Sequence, residues 1–206
     1  MAAAPNRVSP FGEIVAIDQR GLFMGNRGSI HRGGDREIAR LWQVRRWITC
    51  VLEYKGWAAP KWVPGRWTPL FFWDEAVALA AGHRPCALCR RADYNRWLDG
   101  WEQAFGERLK ADPMDLVMHA DRLDGRTQRR HALPWSDVPV GAFVVVDDEV
   151  PALVLDDRLV PWSAAGYGSP VDRPSRGTAF VATPASTVQV LRHGYEPVIH
   201  SGVPRT

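Results

Sequence analysis

The stretch LFFWDEAVALAAGHRPCALCRR, residues 70–91, predicts a short helix followed by two closely spaced cysteines. Asp74 is suited to cap the helix, and Gly82 is a natural stop for it. The turn between Cys86 and Cys89 aims both sulfurs at one point, so that each can lie about 2.3 Å from a shared metal ion. A redox dithiol normally opens a helix that follows a strand. Here a helix and GHRP come first, which favours a metal site over a redox pair or inert cysteines.

A zinc site needs four ligands, and the chain has one further cysteine, Cys50. Because zinc prefers thiolates, Cys50 is the predicted third ligand. The predicted fourth ligand is His31, whose glycine-rich loop is expected beside the strands that hold Cys50. His83, an acidic side chain or water are the alternatives, and water would leave the site open for chemistry. We expect a closed, structural zinc site, since Cys-rich ligand sets are commoner where zinc holds a fold together.

The composition of the 206 residues is that of a globular protein: 46% are hydrophobic and 24% are charged. No apolar run reaches the roughly 18 residues of a membrane span. The start, MAAAPNRVSPFG, lacks the apolar segment of a signal peptide, so we expect a cytoplasmic protein without membrane contact. Three cysteines also make a poor disulfide framework, which fits a reducing compartment.

The order of predicted elements indicates an α+β protein in two parts, residues 1–125 and residues 126–206. Residues 12–54 alternate β-rich runs with polar turns, and the proline-rich GWAAPKWVPGRWTP after them is expected to be a loop. The first part is therefore predicted to be a β-rich zinc module with a helical extension. Past GRTQRRHALPWSDVPV, four short strands predict a small β-rich, barrel-like domain.

Three further helices are predicted after the cysteines. Apolar residues recur at helical spacing from Arg90 to about Leu109. The next helix is expected to start with Asp112 as its cap and to end near Gly125. A last helix should be closed by Gly194.

Positive charge and tryptophan are concentrated in the first half of the chain. Residues 1–110 contain 17 Lys and Arg against 11 Asp and Glu, whereas residues 111–206 contain 9 against 12. Cations meet phosphates and flat rings stack on bases, so this half is predicted to bind nucleic acid. A tryptophan-rich core with solvated arginines is the alternative. The predicted contacts are Arg27, Arg32, Arg45, Arg46, Arg84, Arg90 and Arg91.

Residues 46–92 resemble the zinc module at the N-terminus of the Ada family of bacterial alkylation-response proteins. The match consists of a phenylalanine pair, a helix that begins Glu-Ala, and an Ala-Gly-x-Arg-Pro-Cys-x-x-Cys-Arg knuckle. The resemblance implies a bound zinc ion and a role on DNA. The matching residues are Phe71, Phe72, Glu75, Ala76, Ala81, Gly82, Arg84, Pro85, Cys86, Cys89 and Arg90.

The chain departs from that family at one expected zinc ligand. In the family four cysteines hold the zinc, the first two spaced C-x-x-x-C, and one of them accepts a methyl group from a DNA phosphotriester. Here Cys50 is followed four positions later by Tyr54, so the four-thiolate site is incomplete. A neutral histidine in its place would lower the nucleophilicity of the sulfurs. The resemblance therefore implies a zinc module rather than a methyl acceptor.

Two other functions fit parts of the sequence. The loop GNRGSIH, residues 25–31, has the glycines, arginine and histidine of a phosphate-contacting or catalytic loop. It suggests a nucleic-acid-processing hydrolase or lyase with its active site beside the zinc. The β-rich C-terminal part suggests a binding module for a small molecule or a protein. The whole chain also resembles a group of bacterial proteins that share this loop, the knuckle and a W-x-x-x-GY tail, a likeness that implies no activity.

Overall fold

The computed structural model describes residues 3–32, 36–58 and 62–204. These ranges contain both helices and strands, with runs of strands largely separated from the helices, which confirms the predicted α+β class. In chain order the elements are β1 (Arg7–Val8), β2 (Ile14–Val15), β3 (Phe23–Asn26), β4 (Ile48–Cys50), β5 (Glu53–Tyr54), β6 (Trp57–Ala58), β7 (Leu70–Phe72), α1 (Glu75–Ala80), β8 (Arg84–Pro85), α2 (Arg91–Phe105), α3 (Ala111–Arg122), β9 (Leu123–Asp124), β10 (Thr127–Gln128), β11 (His131–Pro134), β12 (Phe143–Val146), β13 (Val150–Val154), β14 (Arg158–Ser163), β15 (Gly166–Tyr167), β16 (Val171–Asp172), β17 (Thr178–Val181) and α4 (Ala185–Arg192).

The first sheet is mixed, with the strand order β2-β1-β7-β3-β4-β8. β3 pairs antiparallel with β4, so that Met24 lies opposite Cys50 and Asn26 lies opposite Ile48. β8 pairs with β4 in parallel, with Ile48 opposite Arg84. The carboxyl ends of β4 and β8 therefore lie at one edge of the sheet, and the carboxyl end of β3 lies at the other.

The second sheet is antiparallel, in the order β11-β17-β12-β13-β14-β15, and β16 also pairs with β14. Its strand β13 is buried on both faces: Ala152 and Val154 pack in one hydrophobic cluster, and Leu153 packs in another. The sequence of a strand buried on both faces is a continuous apolar run, whereas a half-buried strand alternates apolar and polar residues. The predicted C-terminal strands are thus confirmed, and β13 among them lies in the interior of the fold.

Helix α1 has the predicted cap, because the Asp74 carboxylate accepts a hydrogen bond from the Val77 amide at 2.9 Å. All of its residues are buried. Helix α2 buries Tyr94, Trp97, Leu98 and Trp101 of its predicted apolar face, whereas Phe105 is 45% exposed. The helix ends at Phe105, and the capping Gly106 has a φ of +75°, which suits glycine. The predicted end near Leu109 was four residues too late.

The start and end of α3 differ from the prediction. The helix begins at Ala111, with Lys110 rather than Asp112 in the cap position. It ends at Arg122 because the next residues pair as the β9-β10 hairpin. Gly125, predicted as the helix stop, lies in the hairpin turn with a φ of +61°.

Residues from both sides of position 125 share the hydrophobic core. One cluster packs Trp97 and Trp101 of α2 with Val144 of β12 and Val188 of α4. A second packs Val77 of α1 with residues of β12, β13 and β14. The predicted division at residue 125 stays a prediction, but its two sides are packed together in the described structure. None of the described helices has both the length and the apolarity to cross a membrane.

Candidate metal centre

The two parallel strands β4 and β8 bring the cysteines together. Cys50 is the last residue of β4, and Cys86 directly follows β8. The Cys86 amide donates a hydrogen bond to the Thr49 carbonyl at 2.9 Å, which continues the pairing to the sheet edge. Cys89 lies in the turn that leads into α2. Three short elements therefore converge on one point through their cysteines.

The three sulfurs lie within 4.8 Å of one another. Sulfurs that share a tetrahedral zinc ion, each about 2.3 Å from it, are roughly 3.8 Å apart. Small side-chain rotations therefore suffice to place all three around one ion. Cys86 is 8% exposed, whereas Cys50 and Cys89 are partly exposed. The cluster can hold a metal ion near the surface, and its thiol donors fit zinc.

As free thiols, the three cysteines share protons. The pKa of Cys86 is lowered, first because Cys50 and then because Cys89 donates a hydrogen bond to its sulfur. The Leu88 amide also donates to this sulfur, at 3.4 Å. The pKa of Cys50 is raised, first because its thiol donates to the Cys86 sulfur, then because of the hydrogen bond with Cys89 and its partial burial. A metal ion bound here would displace the thiol protons, because zinc is held by thiolates.

Arg90, which follows the second cysteine of the knuckle, contacts residues of four elements. Its guanidinium lies 2.8 Å from Glu75 of α1 and 2.7 Å from Asp93 of α2. It donates a hydrogen bond to the Thr49 hydroxyl of β4, and it packs 4.4 Å from the centre of the Phe23 ring. The knuckle is therefore held in place by a buried ion-pair network as well as by its backbone.

Glu75 has a structural role that the sequence reasoning missed. Its carboxylate is fully buried and accepts hydrogen bonds from the Tyr195 hydroxyl at 2.6 Å and the Val198 amide at 2.9 Å. A signal was present, because Glu75 is the one charged residue in the otherwise apolar EAVALA helix. A carboxylate on such a helix must be buried, and burial requires a partner.

The structure does not bring the predicted ligand His31 to the cysteines. The His31 Nδ1 lies 2.7 Å from the Thr68 hydroxyl. Thr68 is three residues before Phe71, and Phe71 pairs with Met24, which in turn lies opposite Cys50. Three strand residues span about 10 Å, so His31 lies towards the opposite edge of the sheet. Among the described residues, no histidine or carboxylate joins the three-cysteine group.

His83, the alternative ligand, also lies away from the cysteines. It precedes β8 and packs against the rings of Phe72 and Trp47. Burial, then the charges of Arg27 and Arg122, lower its pKa well below the ordinary value. Its neutral ring accepts a hydrogen bond from the Arg27 Nε at 3.3 Å.

Replacing His31 by alanine is therefore expected to leave zinc binding intact. The change removes the buried hydrogen bond to Thr68, which should lower the free energy of unfolding by about 1–3 kcal/mol. Zinc content of the purified His31→Ala protein, measured by elemental analysis, checks this expectation. A variant that folds but loses its metal would show that His31 is a ligand after all.

The predicted nucleic-acid contacts fall into two groups. Arg84 is buried and makes two hydrogen bonds to Asp115, at 2.8 and 2.7 Å, and Arg90 is buried in the network described above. Neither guanidinium is free to meet a phosphate. Arg27 is buried as well. The exposed members of the predicted set are Arg32, Arg45, Arg46 and Arg91.

Tyr54, the residue four positions after Cys50, lies in β5. Comparison of the chain with models of known families, with curated proteins and with solved structures found no match.

Proposed function

We propose that this chain is a zinc-binding protein in which the metal is structural, and that its basic N-terminal surface binds nucleic acid, DNA in preference to RNA. The observation that carries the proposal is the group of three thiols, Cys50, Cys86 and Cys89, within 4.8 Å of one another. Zinc bound there would link β4, the knuckle and the start of α2.

A structural metal suits this part of the fold because its strands are very short. β4 has three residues and β8 has two, so each contributes few backbone hydrogen bonds. Zinc binding adds folding free energy directly, since the unfolded chain has no preformed site. A metal ion can therefore stabilise a sheet edge that hydrogen bonds alone would hold weakly.

The nucleic-acid part of the proposal is supported by the segment of residues 36–46. It carries four exposed arginines and one exposed acidic residue, and Trp42 within it is 37% exposed. Arginines next to an accessible aromatic ring provide both phosphate contacts and a stacking surface. The four arginines are Arg36, Arg40, Arg45 and Arg46.

The preference for DNA rests on the resemblance of residues 46–92 to the Ada zinc module. With Tyr54 in place of the fourth cysteine, the proposal includes no methyl transfer. The alternative, an enzyme with its active site at residues 25–31 beside the zinc, has less support. That loop leaves β3 at the sheet edge opposite Cys50, as the pairing of Asn26 with Ile48 requires.

Reversing the charge of Arg45 and Arg46 tests the proposed surface. The Arg45→Glu/Arg46→Glu variant should bind duplex DNA at least about tenfold more weakly than wild type. The slope of log affinity against log salt should also fall by about two, because two phosphate contacts are lost. Fluorescence anisotropy with DNA and RNA duplexes of equal length, at several salt concentrations, measures both quantities.

The matched control is Arg176→Glu/Arg192→Glu, which changes the net charge equally at exposed positions of the other half. It should bind DNA like wild type, apart from a small general charge effect. Equal losses in the two double variants would mean that residues 36–46 form no specific surface. Tighter binding of RNA than DNA would contradict the stated preference.

A further inference from the structure

A cavity of about 370 Å³ opens at the sheet edge opposite the cysteines. Two buried arginines, Arg27 and Arg122, form part of its wall, and two exposed arginines, Arg126 and Arg130, also line it. Apolar contact surface comes from residues such as Phe11 and Leu41. Its volume falls in the range of small-molecule sites, which is about 300–1,000 Å³.

Arg27 and Arg122 are each 1% exposed, and both guanidiniums pack on Trp47, at 3.9 and 4.6 Å from the ring centre. Arg27 donates to the Gly12 carbonyl at 2.9 Å, and Arg122 donates to the Met118 carbonyl at 2.9 Å. The Nη2 atom of each arginine is buried without a hydrogen-bond partner among the described residues. Both arginines line the cavity, and each keeps one donor nitrogen that no described residue uses.

The charge of these two arginines is not neutralised by an ion pair within the described part of the chain. Burial, and then the charge of Arg122, lowers the pKa of Arg27 to about 9, and burial lowers that of Arg122 to about 9. The other buried arginines differ, because Arg84 is paired with Asp115 and Arg90 with Glu75. An unpaired buried cation is costly, and an anionic ligand would remove that cost.

The local backbone leaves room for this arrangement. Gly82 ends α1 with a φ of +82°, and a Cβ added there would lie 3.0 Å from the Arg122 side chain. Only glycine tolerates both the backbone conformation and this close approach. The cavity wall is therefore shaped around the Arg122 side chain.

The cavity rim adds further positive charge. Arg126 is exposed, and Arg130 pairs with Glu149 while packing 4.6 Å from the Phe11 ring centre. The only acidic residue among those lining the cavity in the described structure is Glu13, which lies within hydrogen-bond distance of Ser9. Four guanidiniums against one carboxylate favour a multiply charged anion.

We propose that this cavity binds a small organic phosphomonoester, with the phosphate between Arg27 and Arg122 and the organic part against Phe11 and Leu41. A phosphate dianion matches the several guanidinium donors in charge and in geometry. Trp47 is 2% exposed, so no nucleic-acid base can stack on it. The cavity borders the segment of residues 36–46 through Leu41, but the exposed arginines of that segment do not line it, and the inference does not depend on the proposed function.

The test compares ribose 5-phosphate with ribose, inorganic phosphate and malonate on the wild-type protein. Thermal shift and isothermal titration calorimetry give the change in melting temperature and the dissociation constant. Ribose 5-phosphate should raise the melting temperature by several degrees, since a ligand that binds the folded state stabilises it. Ribose should cause no shift, and inorganic phosphate and malonate should bind more weakly than ribose 5-phosphate.

Two variants locate the site, and a third controls for net charge. Arg126→Gln, at an exposed position, should weaken ribose 5-phosphate binding about tenfold, as expected for one charge-assisted hydrogen bond. Arg27→Met should abolish binding and lower the melting temperature of the unliganded protein only slightly, because removal of an unpaired buried cation offsets part of the loss of its hydrogen bonds to Gly12 and His83. Arg176→Gln, outside the cavity, should bind like wild type.

Three results would overturn the proposal. The first is the absence of any thermal shift with ribose 5-phosphate. The second is wild-type binding by both Arg27→Met and Arg126→Gln, which would place the ligand elsewhere. The third is binding of malonate, or of a short DNA duplex, that is tighter than that of ribose 5-phosphate and is lost in Arg27→Met. Zinc content and DNA affinity are measured separately, so failure here leaves the proposed function standing.

Discussion

Replacing Cys86 by serine should release the metal ion and unfold the first sheet. Cys86 is the most buried of the three thiols and joins β8 to β4. Structural zinc contributes an apparent binding free energy of about 10–16 kcal/mol in zinc-finger peptides. The free energy of unfolding of a whole protein is only about 5–15 kcal/mol, so losing the metal should remove nearly all of it. Elemental analysis should find about one zinc ion per wild-type chain, and circular dichroism measures the folded fraction.

Leu88→Ser is the matched control, because it places a serine inside the same knuckle. The Leu88 side chain is 67% exposed, and its backbone amide still donates to the Cys86 sulfur after the change. This variant should keep both zinc and stability. If wild-type protein is free of metal and Cys86→Ser is equally stable, the cysteines are not a metal site.

Glu75→Gln should lower the free energy of unfolding by about 3 kcal/mol, since it breaks a buried ion pair and leaves Arg90 short of negative charge. The same change disturbs the hydrogen bonds from the Tyr195 hydroxyl and the Val198 amide. Urea unfolding followed by tryptophan fluorescence measures the difference. Zinc content measured on the same samples separates loss of the network from loss of the metal.

Glu102→Gln serves as the control for Glu75→Gln, because Glu102 is an exposed carboxylate of α2 that also faces an arginine, Arg108. Exposed ion pairs contribute little to stability, so this variant should unfold like wild type. Equal effects of the two substitutions would show that the buried network around Arg90 adds nothing to the stability of the fold.

Local features of the sequence predicted local features of the structure well. The Asp74 cap, the apolar face of α2 and the C-terminal strands depend on spacing and turn residues within a few positions, and the structure has them all. The three-cysteine cluster was also predictable, because no other thiols exist in the chain and the C-x-x-C turn fixes two of them.

Features that depend on strand direction were not predictable in the same way. His31 follows β3, and Cys50 is the last residue of β4. Because these two strands pair antiparallel, the two residues lie at opposite edges of the sheet. From the sequence, Arg27 is expected to be a surface residue of a glycine-rich loop. Its burial beside Arg122 depends on contacts between segments that are distant in sequence. No residue spacing reveals such contacts.

The hydrogen bond between Glu75 and Tyr195 has a consequence for the order of events during synthesis. The two residues are 120 positions apart. At about 5–20 residues per second, Tyr195 follows Glu75 by roughly 6–24 s. During that interval the Glu75 carboxylate lacks its hydroxyl partner, and the surface of α1 that contacts β12 and the C-terminal tail is uncovered. This surface is therefore exposed to aggregation until the residues that follow α4 have left the ribosome.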